Sequence, residues 1–200
     1  MENIVYYINF INQNLEDHFL IFFIFYLLSL IIFYSLSLPG GPLFSIASGF
    51  LFGFYIGYLI NIISILIGSF IFVIYSKIIF KFLFKKLYET FSHKISNFIK
   101  GSSYEYLIIF RLIQGNPLFI QNLCFCFLNI SKKKFLVTSF VGFTPTIMLF
   151  SYFGSKIATL IYLTEFRYQE IITKDFLIFL FLIIIFLFSR IVYKNYRSKI

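Results

Sequence analysis

Apolar residues run along this chain in long blocks, broken by short basic runs or by clusters of proline and glycine. Residues 1–18 set Ile4, Ile8, Ile11 and Leu15 at helical spacing among Asn3, Asn12, Asn14 and Glu16. That is the pattern of a short amphipathic helix lying in a membrane interface. Phe19–Leu38 follows with 20 uncharged residues, enough for a first span, and Pro39-Gly40-Gly41-Pro42 ends it. Leu43–Ser76 has 34 residues without a charge. As one helix it would reach about 51 Å at 1.5 Å per residue, too long for one crossing. Two full crossings need about 40 residues and a turn, so it is too short for two. The block is predicted to hold a re-entrant hairpin over roughly 40–57 and a true span near 58–76.

Lys77–Gly101 is a basic amphipathic segment, one helix or two, with Lys77, Lys81, Lys85 and Lys86 set against Phe82, Leu83, Leu87, Phe91, Ile95 and Phe98. It is expected on the cytoplasmic surface against anionic headgroups. Tyr106–Ile130 then gives 25 residues with a single charge, Arg111, and a break at Gly115-Asn116-Pro117. Asn116 is expected to cap and Pro117 to open a second half-helix, leaving halves of about nine and thirteen residues, neither long enough to cross. Basic residues flank this stretch on both sides, the second set being Lys132-Lys133-Lys134. Parity therefore favours a second re-entrant hairpin, entering and leaving on the cytoplasmic side. Irregular backbone at that depth is tolerated only where protein or a wet cavity covers it. Phe135–Ser155 is a third span with Pro145 inside, Lys156–Asp175 a charge-balanced outer loop, Phe176–Tyr193 the last span, and 194–199 a basic inner tail.

The expected fold is an all-α integral membrane protein with four transmembrane helices and two oppositely oriented re-entrant hairpins, plus interfacial amphipathic helices. Such an inverted repeat usually places a substrate path near the midplane. The expected divisions are 1–18, 19–38, a core over 39–156, and 157–200. Gly49, Gly53 and Gly57 stand four apart, and Ser64 and Gly68 extend the same helical side, a small-residue stripe that would let helices approach closely.

Composition sharpens this picture. A mean hydropathy of +0.91 with 12% charged residues excludes a soluble domain, since soluble chains carry about twice that charge. The 32 Phe, with no Trp, read as an AT-rich coding bias, so no single Phe is assigned a role. The net charge of +9 lies mostly outside the apolar blocks, which makes it a topology signal and not a nucleic-acid footprint. Cys124 and Cys126 are badly spaced for a disulfide and lack partners for a metal site. His18 and His93 are isolated. No enzyme, cofactor or metal is expected, because those chemistries need clustered His and acid side chains within the membrane. The acidic N-terminus (Glu2, Glu16, Asp17) argues against a cleavable signal peptide.

Arg111 is the candidate for chemistry. An Arg at that depth costs roughly 2.5–3.5 kcal/mol on insertion scales and marks a functional site by default. Neither Phe19–Ser76 nor Tyr106–Ile130 contains Asp or Glu. The charge must be met by carbonyls, by the amides of Gln114, Asn116, Gln121 and Asn122, by water, or by an anionic ligand. Guanidinium grips phosphate bidentately, and a helix opening at Pro117 would add partial positive charge. The competing reading is that Arg111 snorkels to the cytoplasmic interface.

The run FRLIQGNPLFIQN, followed by Gly142-Phe143-Thr144-Pro145-Thr146 and Tyr152-Phe153-Gly154-Ser155, resembles the DedA superfamily, also called the VTT-domain or SNARE-associated Golgi protein family, and its Tvp-like branch. Arg111, Leu112, Pro117, Asn122, Gly142, Pro145, Gly154 and Ser155 fall on that family's pattern. Pro42, Gly49, Phe52, Gly53 and Gly57 resemble its first hairpin. Two positions depart: Gln114 stands where the family usually has a first Pro, and the first hairpin lacks the acid thought to couple transport to protons. The resemblance implies a scramblase or carrier moving phospholipid or polyprenyl-phosphate headgroups between leaflets. Together with the reading of the residues themselves, this gives a candidate headgroup site at Arg111, Gln114, Asn116, Pro117 and Asn122, with Pro42, Gly49, Gly53, Gly57, Gly142, Pro145 and Gly154 as structural motif. A small-solute or ion permease, or a structural membrane protein without transport, are the alternatives. The expected partners are lipids with anionic headgroups, without nucleic acid, and a homo-oligomer is compatible with the sequence. The expected location is the cell (inner or plasma) membrane, multi-pass, with both termini cytoplasmic.

Overall fold

Uninterrupted apolar sequence gives helices wherever no Pro, Gly or charge cluster intervenes. In the computed structural model the described residues are 14–15, 17–98, 104–113, 117–128 and 130–161. They form α1 (Phe19–Ser35), α2 (Gly41–Leu83), α3 (Lys85–Phe98), α4 (Tyr104–Leu112), α5 (Leu118–Phe127) and α6 (Lys132–Ile161), with no strand among them. The chain divides after Ala158, and the second unit, 159–200, lies almost wholly outside the described residues, as do the expected last span and basic tail. So does most of the expected N-terminal helix, of which Leu15 is described and buried in the core.

α1 has 17 residues and stops at Ser35, short of the expected Leu38. The reason is local: Ser37 takes φ 50, so the chain is already turning before Pro39, and Gly40 at φ 112 completes the turn after it. α1 lies along α2. Gly68 makes this possible, because a Cβ there would sit 2.6 Å from the Tyr34 Cβ. Ties at both ends fix the pair: the Tyr26 hydroxyl donates to Phe44 O at 2.8 Å, and the Tyr75 hydroxyl to Ser35 O at 2.8 Å.

α2 is a helix with a hinge. Gly40 supplies the left-handed cap and Pro42 sits in the first turn. At Gly53 the backbone takes φ 75, ψ 174, a region essentially reserved for glycine. The 41–52 arm folds back on the helix that follows. A Cβ on Gly57 would lie 2.7 Å from the Ser48 carbonyl, so the two arms touch backbone to backbone. Asn61 closes the fold-back: its Oδ1 accepts from Tyr34 OH at 3.2 Å and Ser45 OH at 3.3 Å. Its Nδ2 donates to Gly57 O at 3.0 Å and to Ser48 Oγ. The glycines are therefore not one stripe. Gly49 and Gly57 are contact positions, Gly68 faces α1, and Gly53 is the hinge, with nothing within 4 Å of its would-be Cβ. Beyond the hinge the helix runs on to Leu83, past the expected 58–76.

Non-helical Phe84 (φ −134, ψ 47) separates α2 from α3, so the basic segment is a pair of helices. α4 and α5 have nine and ten residues. Pro117 occupies the cap of α5 (φ −52, ψ 140), one place earlier than the first helical position expected of it. Residues 114–116, including Gln114 and the expected cap Asn116, lie outside the described residues. α6 begins where Ser131 Oγ accepts the Lys134 N–H at 3.3 Å, and it keeps Pro145 within the helix. It outruns the expected 135–155 at both ends, so 156–161 is helix where a loop was expected. α6 is also the spine on which both broken segments rest. A Cβ on Gly49 would collide with the Ser151 carbonyl, one on Gly154 with the Ile46 carbonyl, and one on Gly142 with the Arg111 Cβ.

Among the described residues two helices, α2 and α6, are long and apolar enough to cross a membrane. α1 and α5 are shorter apolar helices.

Candidate functional site

In α4, Leu107, Ile108 and Arg111 lie within one turn of each other, and all three are buried. Gly142 lets α6 come against this face. Arg111 has 0% exposure, so its side chain is enclosed by protein and does not extend to the surface. Its Nη1 donates to Asn122 Oδ1 at 2.8 Å and, more weakly, to Gln121 Oε1 at 3.4 Å. Gln121 Nε2 in turn donates to Ile113 O at 3.3 Å, which ties the start of α5 to the end of α4. Asn122 uses its amide nitrogen on Ser37 Oγ at 2.8 Å and Ser69 Oγ at 3.2 Å. One side chain thus joins Arg111, the turn after α1, and α2. The positive φ of Ser37 belongs to this arrangement, because non-glycine residues rarely take it without a local demand.

The guanidinium is caged by rings. Its carbon lies 4.1 Å from the centroid of Phe125, 4.7 Å from Phe143 and 5.4 Å from Phe135. A desolvated cation–π contact is worth about 0.5–2 kcal/mol. Three such contacts and a charge-assisted hydrogen bond are of the size of the insertion cost of roughly 2.5–3.5 kcal/mol, so a carboxylate is not needed to keep the charge. α5 and α6 contain no Asp or Glu, and the nearest acid in sequence is Glu105, in the first turn of α4. The cage is incomplete, however. Arg111 Nε and Nη2 have no hydrogen-bond partner among the described residues.

A cavity of about 300 Å³ adjoins this group. The Gly40–Pro42 turn, Pro117 and Gln121, and Phe143, Ile147 and Phe150 of α6 wall it, with Arg111. Arg111 belongs to the wall yet has no exposed surface, so neighbouring side chains screen it from the open space. The wall is mainly apolar. Among the described residues no cluster of three His, Cys, Asp or Glu side chains could hold a metal.

Of the sequence-derived site residues, Arg111 and Asn122 are brought into contact, and Pro117 stands in the same cavity wall. Gln114 and Asn116 are outside the described residues. Of the motif residues, Pro42 lines the cavity, Gly142 supports Arg111, Pro145 sits between wall residues Phe143 and Thr146, and Gly49 and Gly154 fasten the first arm to α6. Gly53 and Gly57 form the hinge and its contact. The sequence reading missed Phe125, Phe143, Ser37 and Ser69. A background of 32 Phe hid the first two, and two serines distant in sequence carry no spacing signal.

No curated protein and no solved structure matches the chain. The family model described as VTT domain matches residues 38–156. The matched stretch holds the hinged arm, α4 and α5, α6 as far as Lys156, and every wall residue of the cavity but Tyr34. With more than half of its length so matched, the chain belongs to the VTT-domain, or DedA, family of membrane proteins.

Proposed function

We propose that this protein moves lipids bearing a phosphate headgroup between bilayer leaflets, with Arg111 as the headgroup site. The observation that carries the reading is a buried guanidinium with two nitrogens unpartnered among the described residues, beside a cavity into which the start of α5 also faces. A phosphate would satisfy those nitrogens and meet the helix end at Pro117. The apolar wall favours an amphiphile over a hydrated ion, which would need several polar ligands. Because Arg111 is fully covered in this state, the cycle requires Gln121 and its neighbours to move aside. The absence of Asp and Glu from α1, α2, α5 and α6 supports a passive scramblase or facilitated carrier over a proton-coupled pump.

The membrane arrangement belongs to the same proposal. The arm ending at Gly53 and the α4–α5 pair are two re-entrant hairpins of opposite orientation, each followed by a span (α2 beyond the hinge, then α6). α1 and 176–193 complete four spans, with both termini in the cytoplasm of a cell-membrane protein. Support comes from the fold-back at Gly53, the short lengths of α4 and α5, and the basic residues at Lys77–Lys86 and Lys132–Lys134. Purified protein in vesicles tests the function: leaflet exchange of fluorescent phospholipid without ion leakage is expected. Ion leakage with no lipid exchange would make it a permease instead.

A further inference from the structure

A second cavity, of about 220 Å³, lies apart from the one beside the headgroup site and shares none of its wall residues. Phe70, Val73 and Ile74 of α2, Phe125 and Leu128 at the end of α5, and Phe135 of α6 give it apolar sides. Its wall has two charges, Lys77 and Lys132, and no acid. Both lysines sit where apolar helix gives way to basic sequence: Lys77 precedes Lys81, Lys85 and Lys86, and Lys132 opens the Lys132–Lys134 run. An apolar groove between helices with two cations in its wall is complementary to an anionic phospholipid, the acyl chain along the rings and the phosphate at the ammonium groups. A zwitterionic lipid would bring its own cation to the same place. A free phosphate would leave the apolar length unused.

We infer that this groove is a binding site for an anionic phospholipid, held by Lys77 and Lys132. Phe125 and Phe135 form part of its wall and are also two of the rings that cover the Arg111 guanidinium. A lipid seated there is one ring layer from the headgroup site. The site does not depend on transport, since it is defined by binding alone.

The sequence has no Trp, so Ile74→Trp, at an exposed groove position, installs a single fluorophore in the full chain. The variant is reconstituted in phosphatidylcholine vesicles containing either brominated phosphatidylglycerol or brominated phosphatidylcholine at equal mole fraction, and quenching is compared. Each lysine near the surface is worth about fivefold, so with two lysines a preference for the glycerol lipid of roughly 25-fold is expected. Lys77→Gln with Lys132→Gln should bring the preference close to one. Lys85→Gln with Lys86→Gln, which removes two charges from the same basic region outside the groove, should leave most of it. Equal quenching by the two lipids in the parent variant overturns the inference, as does an equal loss in both double variants, which would reduce it to general surface attraction. Inorganic phosphate that displaced the glycerol lipid would also overturn it, by making the site one for free anions. Failure of lipid exchange with this preference intact would count against the transport proposal and leave the groove standing.

Discussion

At the scale of single residues, glycines do three different jobs here. Gly53 is needed for torsion, because φ 75 with ψ 174 is closed to side-chain-bearing residues although space for a Cβ exists. Gly53→Ala is expected to cost about 1–3 kcal/mol. Gly53→Asn should cost as much, since asparagine tolerates the left-handed helical region and not this one. Thermal unfolding in detergent checks this, and wild-type stability in the Asn variant would contradict the assigned hinge. Gly57 is needed for space, with the Ser48 carbonyl 2.7 Å from its would-be Cβ. Gly142 is needed so that Arg111 can lie against α6. Four-residue spacing in the sequence does not separate these jobs, because periodicity registers which side a residue faces and not what torsion its backbone adopts.

At the scale of elements, the contact between the hinged arm of α2 and α6 is reciprocal. Gly49 meets Ser151, and Gly154 meets Ile46. Gly49→Ala and Gly154→Ala should each destabilise by about 1–3 kcal/mol, because backbone must move to admit the methyl group. The double variant should cost less than the sum, since the first substitution already separates the helices. Additivity within about 0.5 kcal/mol would mean the two contacts are independent. The broken elements themselves were legible in the sequence: too many uncharged residues for one span, too few for two, and a Gly115-Asn116-Pro117 break at which a second helix opens. Helix ends were less so. α6 extends beyond both expected limits because Ser131 caps it early and no breaker follows Ser155 before Ile161. Arg111 and Asn122 were legible as a charge and an amide in an apolar block. Their contacts with Ser37, Ser69, Phe125 and Phe143 were not, because they depend on how four separate segments meet.

At the scale of the whole molecule, the basic runs set the expected topology. With Cys124 and Cys126 replaced by Ala, an impermeant thiol reagent added from outside should label Glu165→Cys and leave Lys133→Cys unmodified. Labelling at 133 from outside would turn the α4–α5 segment into a full crossing and remove the two-hairpin arrangement. The central claim, that Arg111 holds a lipid phosphate during passage, is tested by leaflet exchange in vesicles carrying equal amounts of wild type, Arg111→Gln and Arg111→Lys, each first shown to be folded. Gln keeps hydrogen-bonding capacity but loses the charge, and Lys keeps the charge but loses the planar fork. The account predicts exchange at the protein-free level for Gln and a partial rate for Lys. Wild-type exchange in Arg111→Gln would contradict it, and leave Arg111 as a buried structural cation.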